Sequence, residues 1–191
     1  MRLFSLMACI FWMACSGSTN ENVSNSFTRK MKTQEPAVLD TAYFAGGCFW
    51  CVEASFDQIK GVSEAMSVYA GGKIKNPTYQ QVSSGATNHA EAVMVIYDKK
   101  RIDYETLLDI FFTAHDPTQL NRQGPDVGKQ YRSEIFYTTK AEEKAAREKI
   151  KLLSSEYKDE IVTKISNLKK FYLAEDYHQD YEEKNPNNSY I

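Results

Sequence analysis

The chain opens on an apolar run, Leu3 to Ala14, behind a single basic residue, Arg2. From Ser16 to about Ala37 it turns polar, dominated by Ser, Thr, Asn, Lys and Glu. Regular patterning starts near Leu39. Thr41–Ala45 is a short β-prone run that stops at Gly46-Gly47. From Cys48 to Lys60 the period lengthens, with Phe49, Val52, Phe56 and Ile59 at helical spacing and Gly61 closing the segment. Val62 to Ala70 reads as a strand, followed by Gly71-Gly72 and a loop through Asn76-Pro77. His89 to Asp98 is β-branched and apolar, and predicts a further strand. Tyr104 to Ala114 carries Leu107, Leu108, Phe111 and Phe112 on one helical face, and Asp116-Pro117 stops it. Residues 116–132 form a polar loop. Ser133–Thr138 predicts a strand, Lys140–Tyr157 a helix of Ala, Glu, Lys and Leu, and Ile161–Ser166 a short strand. The tail after Phe171 reads as irregular and aromatic-rich. This order argues for an α+β fold, a two-layer sandwich of a mixed β-sheet with packed helices.

Composition narrows the picture. The 191 residues are 42% hydrophobic, enough for a packed core in one domain. A net charge of −2 leaves no broad basic surface for nucleic acid or anionic membrane. The N-terminal apolar run is too short to span a bilayer, which takes about 20 apolar residues. It reads as an export signal, and Met13-Ala14-Cys15 resembles the end of a bacterial lipoprotein signal, with Cys15 the lipidated residue. Leu6-Met7-Ala8-Cys9 fits that pattern better, but would leave the apolar region short and strand the apolar Ile10–Ala14 run after cleavage. An ordinary secretory signal and an uncleaved anchor are the alternatives. The expected organisation is a signal over 1–14, a flexible tether over 15–38 and a folded domain over 39–191. The expected location is the cell envelope, with membrane contact only through an N-terminal lipid.

Two of the four cysteines, Cys48 and Cys51, remain for the domain. Cys48 stands where a strand turns through two glycines into a helix. Free N–H groups at a helix start favour an anion there, which would lower the thiol pKa. Cys51 is one turn further on, so the two read as a nucleophile with an adjacent resolving thiol. Two buried small hydrophobes, or a permanent structural disulfide, are the plain alternatives. Zinc is poorly supported, because no second C-x-x-C or close His pair accompanies them.

Other residues qualify on pattern. Phe49 and Trp50 are consecutive, so both cannot face one core stripe, and one is free to wall a small apolar pocket over Cys48. Glu91 alternates with Val93 and Val95, which places a carboxylate in an apolar row where its neutral, proton-donating form is favoured. A glutamate that merely reaches water or a lysine fits the pattern equally well. Glu53 reads as a weaker acid, better explained as a solvated helix charge. Asp126, Tyr79 and Tyr131, in Gly/Pro-rich loops, read singly as turn and packing residues, and His89, His115 and His178 as structural.

Taken together, Gly46-Gly47-Cys48-Phe49-Trp50, Asn76-Pro77-Thr78-Tyr79, His89-Ala90-Glu91-Ala92-Val93, His115-Asp116-Pro117, Gln130-Tyr131-Arg132-Ser133 and Ala174-Glu175-Asp176-Tyr177-His178-Gln179 resemble the A-type peptide methionine sulfoxide reductases, in family order. The resemblance spans roughly Ala42 to Pro186. It implies a ferredoxin-like plait with long loops and a C-terminal tail, and a chemistry without cofactor or metal. Cys48 would attack the sulfoxide sulfur and Glu91 would protonate the oxygen. Tyr79 and Tyr131 would hydrogen-bond that oxygen, Phe49 and Trp50 would hold the methyl group, and Asp126 would sit in the substrate loop. Many members carry glycine where Cys51 stands and place recycling cysteines near the C-terminus; this chain ends Asn187-Asn188-Ser189-Tyr190-Ile191 without one. Cys51 is therefore expected to resolve the Cys48 sulfenic acid, with a thioredoxin-like reductant and oxidised exported proteins as partners. A thioredoxin-like disulfide oxidoreductase is the runner-up, and a partner-binding surface lipoprotein the non-enzymatic reading.

Overall fold

The computed structural model describes residues 36–188. Its strands are β1 (Leu39–Gly46), β2 (Val62–Ala70), β3 (Ala90–Asp98), β4 (Arg122–Gln123), β5 (Asp126–Val127), β6 (Ser133–Tyr137), β7 (Lys164–Asn167) and β8 (Phe171–Leu173). The helices are α1 (Phe49–Asp57), α2 (Tyr79–Ser83), α3 (Tyr104–Ala114), α4 (Lys140–Leu153) and α5 (Tyr181–Lys184). Six strands form one sheet in the order β7-β6-β1-β3-β2-β8. Within it β6-β1-β3-β2 is an antiparallel ladder with α1 and α3 as its two crossovers, which is the ferredoxin-like plait. β7 joins β6 in parallel and makes the sheet mixed. The α+β expectation holds.

The core follows the sequence period. On β3, Val93, Val95 and Tyr97 face the helix layer and meet Phe44, Phe56, Leu107, Leu108 and Phe111, all fully buried or nearly so. Ala90, Ala92 and Met94 take the opposite face with Tyr43, Val68 and Phe136. A Phe44 ring stacked between Phe56 and Phe111, at 5.3 and 5.1 Å, ties β1 to both crossover helices. Burying such rings supplies about 2–3 kcal/mol each. Stabilisation therefore concentrates between the sheet and the two crossover helices.

Three expectations need correction. The tail is not wholly irregular: β8 pairs antiparallel with β2, and α5 follows a 3₁₀ turn at Asp176–His178. The segment after Asn76-Pro77 is not only loop, because Thr78 caps α2 through a reciprocal bond pair with Gln81. α4 stops at Leu153, not Tyr157, whose hydroxyl instead donates to the Phe112 carbonyl. The polar loop after Asp116 is largely irregular as expected, with the two-residue pairing of β4 and β5 inside it.

Candidate active site

β1 delivers the chain to the site through Gly46-Gly47. Gly47 has φ +102, which L side chains rarely adopt, and a Cβ there would lie 2.6 Å from the Gln123 side chain of β4. Only glycine lets the long loop close against this turn. Cys48 follows as the residue capping α1, in extended conformation, 7% exposed. The first free N–H of α1, on Phe49, donates to Glu91 Oε2 at 3.3 Å. Helix start and strand carboxylate are therefore bonded to each other across 42 residues of sequence.

Glu91 enters from the N-terminal end of β3, on the face it shares with Val93 and Val95, and is 2% exposed. Its other oxygen, Oε1, is buried with no hydrogen-bond partner among the described residues. Burial, helped by the nearby Asp126 and Cys51, raises its pKa from 4.5 to about 8 against the pull of the Phe49 N–H. At neutral pH the carboxyl is protonated, an acid awaiting an acceptor.

Cys48, Phe49, Trp50, Tyr79, Glu91, Asp126, Tyr131 and Asn188 line one cavity of about 250 Å³. Every catalytic or binding residue expected from the sequence lies on it except Cys51, which is half-buried one turn behind Cys48. Cys15 lies outside the described residues. Cys48 and Cys51 are both free thiols. Among the described residues, the larger concavities do not include Cys48 or Cys51. Phe49 is fully buried and stacks near Tyr79 with ring centroids 6.4 Å apart. Burial and the neighbouring Glu91 push the Tyr79 hydroxyl up to about 12 and Tyr131 higher still, so both remain O–H donors.

The expected lowering of the Cys48 pKa does not occur. A hydrogen bond to Cys51, burial and the adjacent Glu91 all raise it, and the backbone of Trp50 offsets only part. The same hydrogen bond holds Cys51 low. The resting nucleophile is a thiol bonded towards its neighbour. The helix start does contribute, through the Trp50 backbone, but the Cys51 bond, burial and Glu91 outweigh it.

Two more corrections concern groups read as merely structural or solvated. Glu53 is 1% exposed: it accepts from the Ser67 hydroxyl and from the Asp180 N–H at 2.9 Å, and burial lifts its pKa to about 7. It thereby pins the tail to α1. His178 accepts the Trp50 indole N–H at 3.1 Å and packs 4.4 Å from the Tyr79 ring. Tyr181 stacks flat on Trp50 at 3.7 Å. The tail thus forms the outer wall of the aromatic pocket, with Asn188 at its rim. Sequence reasoning missed His178, Tyr181 and Asn188 as site residues; the Ala174–Gln179 motif was a signal for His178 but does not reach Tyr181 or Asn188. His115, between the Phe111 carbonyl and the Ser133 hydroxyl, and His89, between Ile74 and Gly72, are structural as expected. Glu53, Asp57 and Asp180 also bring three carboxylates together, away from the cysteines.

A buried cysteine with a half-buried partner, a neutral carboxylic acid with a bare oxygen, two hydroxyl donors and an aromatic wall define a thiol-based oxidoreductase for a small, uncharged, oxygen-bearing group. Comparison with known proteins makes the class specific. The family described as peptide methionine sulfoxide reductase matches residues 40–191. Peptide methionine sulfoxide reductase MsrA of Haloquadratum walsbyi is 56% identical over 152 residues, covering 79% of this chain and 87% of that protein. Mxr1 of Saccharomyces cerevisiae in reduced form superposes with a TM-score of 0.76 at 35% identity, covering 83% of this chain and 92% of Mxr1. Mxr1 in complex with Trx2 matches with a TM-score of 0.55 at 25% identity, covering 80% of this chain and 91% of that one. This chain belongs to the peptide methionine sulfoxide reductase family and is an A-type enzyme of it.

Proposed function

We propose that the enzyme reduces the S epimer of methionine sulfoxide through a Cys48 sulfenic acid and a Cys48–Cys51 disulfide that a thioredoxin-like protein reopens. The observation that carries this reading is Glu91 Oε1, buried and unpartnered in the pocket that holds Cys48. A sulfoxide oxygen is the acceptor that such an acid lacks. Its methyl group would lie against Phe49 and Trp50, and Tyr79 and Tyr131 would donate to the same oxygen. With methyl, oxygen and attacking sulfur each assigned a place, one configuration at sulfur fits. Asp126, at the cavity edge on β5, would contact the substrate backbone side.

In the first half-reaction Cys48 sulfur bonds to the sulfoxide sulfur as Glu91 passes its proton to the oxygen. The hydroxyl then passes from the substrate sulfur to the Cys48 sulfur, the substrate S–O bond and the new S–S bond break, and methionine leaves Cys48 as a sulfenic acid. The thiol proton of Cys48 reprotonates Glu91, so the sum is thiol plus sulfoxide giving sulfenic acid plus thioether. In the second, Cys51 sulfur attacks the Cys48 sulfenic sulfur, water leaves and the disulfide forms. Cys51 suits this role because it is less buried and its thiolate is favoured. An external dithiol then reduces the disulfide; the Mxr1–Trx2 complex is a precedent in a related enzyme. No metal or bound cofactor enters.

The remaining assignments concern residues 1–38: a signal over 1–14, lipid on Cys15, a tether to residue 38 and repair of oxidised proteins in the envelope. They are supported by the apolar Leu3–Ala14 run and its cysteine ending. The test of the chemistry is turnover of a methionine-S-sulfoxide peptide by the wild type and by Cys48→Ser. The variant should be inactive. Equal rates would sink the assignment, and reduction of insulin disulfides without sulfoxide turnover would favour a thioredoxin-like oxidoreductase.

A further inference from the structure

One carboxylate outside the cavity is bonded into its wall and has no part in the chemistry above. Glu175 stands where β8 ends and the tail begins. Its Oε1 accepts the Tyr79 backbone N–H at 2.9 Å and its Oε2 accepts the Tyr69 hydroxyl at 2.7 Å. Tyr69 is a fixed point: it is fully buried in β2, with its ring 5.9 Å from Phe49.

Tyr79, by contrast, opens a helix of five residues in which only Val82 is buried. A helix so short has little stability of its own, so the place of its first residue depends on what that residue is bonded to. Pro77 has no N–H to offer, and the Thr78–Gln81 bond pair ties α2 to itself, not to the sheet. The far end is held by Gln130, which donates to the Ser83 carbonyl at 2.8 Å. At the near end, Glu175 supplies the bridge from α2 to β2.

We propose that Glu175 is a positioning residue: by joining the Tyr79 backbone to the Tyr69 hydroxyl it holds Tyr79 where its own hydroxyl meets the sulfoxide oxygen. This rests on the assignment of Tyr79 as a donor to that oxygen. A displacement of that donor by an ångström loses the transition-state bond while leaving the methyl pocket, and hence substrate binding, largely intact. The effect belongs in kcat for the sulfoxide step more than in KM.

The experiment is a double-mutant cycle on the full chain, read as single-turnover methionine formation, with melting temperatures alongside. Glu175→Ala should slow the sulfoxide step about tenfold, and in a Tyr79→Phe background should cost less than about twofold further. Glu175→Gln, which keeps an acceptor for the Tyr79 N–H, should return the rate to within about threefold of wild type. Alkylation of Cys48 by iodoacetamide should not change in either variant. Additive losses would overturn the proposal and leave the Tyr79 assignment standing. A Tyr79→Phe enzyme as fast as wild type would overturn both. Should Glu175→Ala fail to fold, Tyr69→Phe removes the other half of the bridge. It should cost about threefold, and nothing once Tyr79 is Phe; a full-rate Tyr69→Phe enzyme would overturn the proposal.

Discussion

Replacing Glu91 by Gln should make the protein more stable as it makes it inactive, and the gain should depend on pH in a calculable way. The glutamine carbonyl can still accept the Phe49 N–H, so packing changes little. Burial, with smaller contributions from Asp126 and Cys51, raises the Glu91 pKa from 4.5 to about 8. A carboxyl whose folded value exceeds its unfolded value contributes its full stability below the unfolded value and loses it as pH rises through the folded one. At 1.36 kcal/mol per unit, wild type pays about 3 kcal/mol by neutral pH and about 5 kcal/mol by pH 9 for ionisation that the fold resists. Gln carries no such penalty. Urea unfolding under reducing conditions, run at intervals from about pH 5 to 9, should therefore show a stability difference that widens up to about pH 8 and then levels off. Glu53, raised to about 7, bends both curves alike, and the difference cancels it. A difference constant to within about 0.5 kcal/mol across that range would refute the claim that Glu91 is held neutral. Sulfoxide reduction by the same variant should drop about 10²–10⁴-fold, and the alkaline fall of the wild-type rate near pH 8 should vanish with it.

Other consequences follow from single contacts. Cys51→Ser should still form methionine in a single turnover but lose repeated turnover with thioredoxin; unimpaired steady-state rates would remove Cys51 from the cycle. Gly47→Ala should destabilise the fold by about 2 kcal/mol and slow the chemistry, because φ +102 and the Gln123 side chain 2.6 Å away both oppose a Cβ; denaturant midpoints decide it. At about pH 5, Glu53→Ala should cost about 2–3 kcal/mol by orphaning the Asp180 N–H and the Ser67 hydroxyl, a cost that shrinks as pH rises towards 7, because burial raises the Glu53 pKa and the fold resists its ionisation. A change within about 0.5 kcal/mol would mean a solvated charge after all.

What the sequence reveals and what it hides divide along physical lines. α1 and α3 were legible because each buries one face, so the helical period is written in its residues, and β1, β2, β3 and β6 because they are short apolar runs bounded by turn residues, β3 being buried on both faces; Val93 and Val95 even fixed which face Glu91 takes. β8 and α2 were not, since a strand of three residues or a helix with only Val82 buried leaves no period to read. Tyr79, Asp126 and Tyr131 were legible only through motif resemblance, because nothing local distinguishes a pocket tyrosine from a packing one. Glu53 was misread since helical spacing says where a charge points but not what lies over it, and the covering segment arrives from Asp180, 127 residues away. The Cys48 pKa went wrong for a related reason. The Cys51 bond, the burial of the site and Glu91, a group brought by β3, outweigh what the helix start offers a thiolate.

The central claim is that Cys48 is oxidised by the sulfoxide and relieved by Cys51. It is met most directly by incubating the reduced enzyme with one equivalent of methionine-S-sulfoxide peptide, without reductant, and weighing the proteolytic fragment that spans both cysteines. The account predicts one methionine per enzyme and a fragment lighter by two hydrogens, with neither thiol open to alkylation. Methionine formed while both Cys48 and Cys51 remain alkylatable would contradict it.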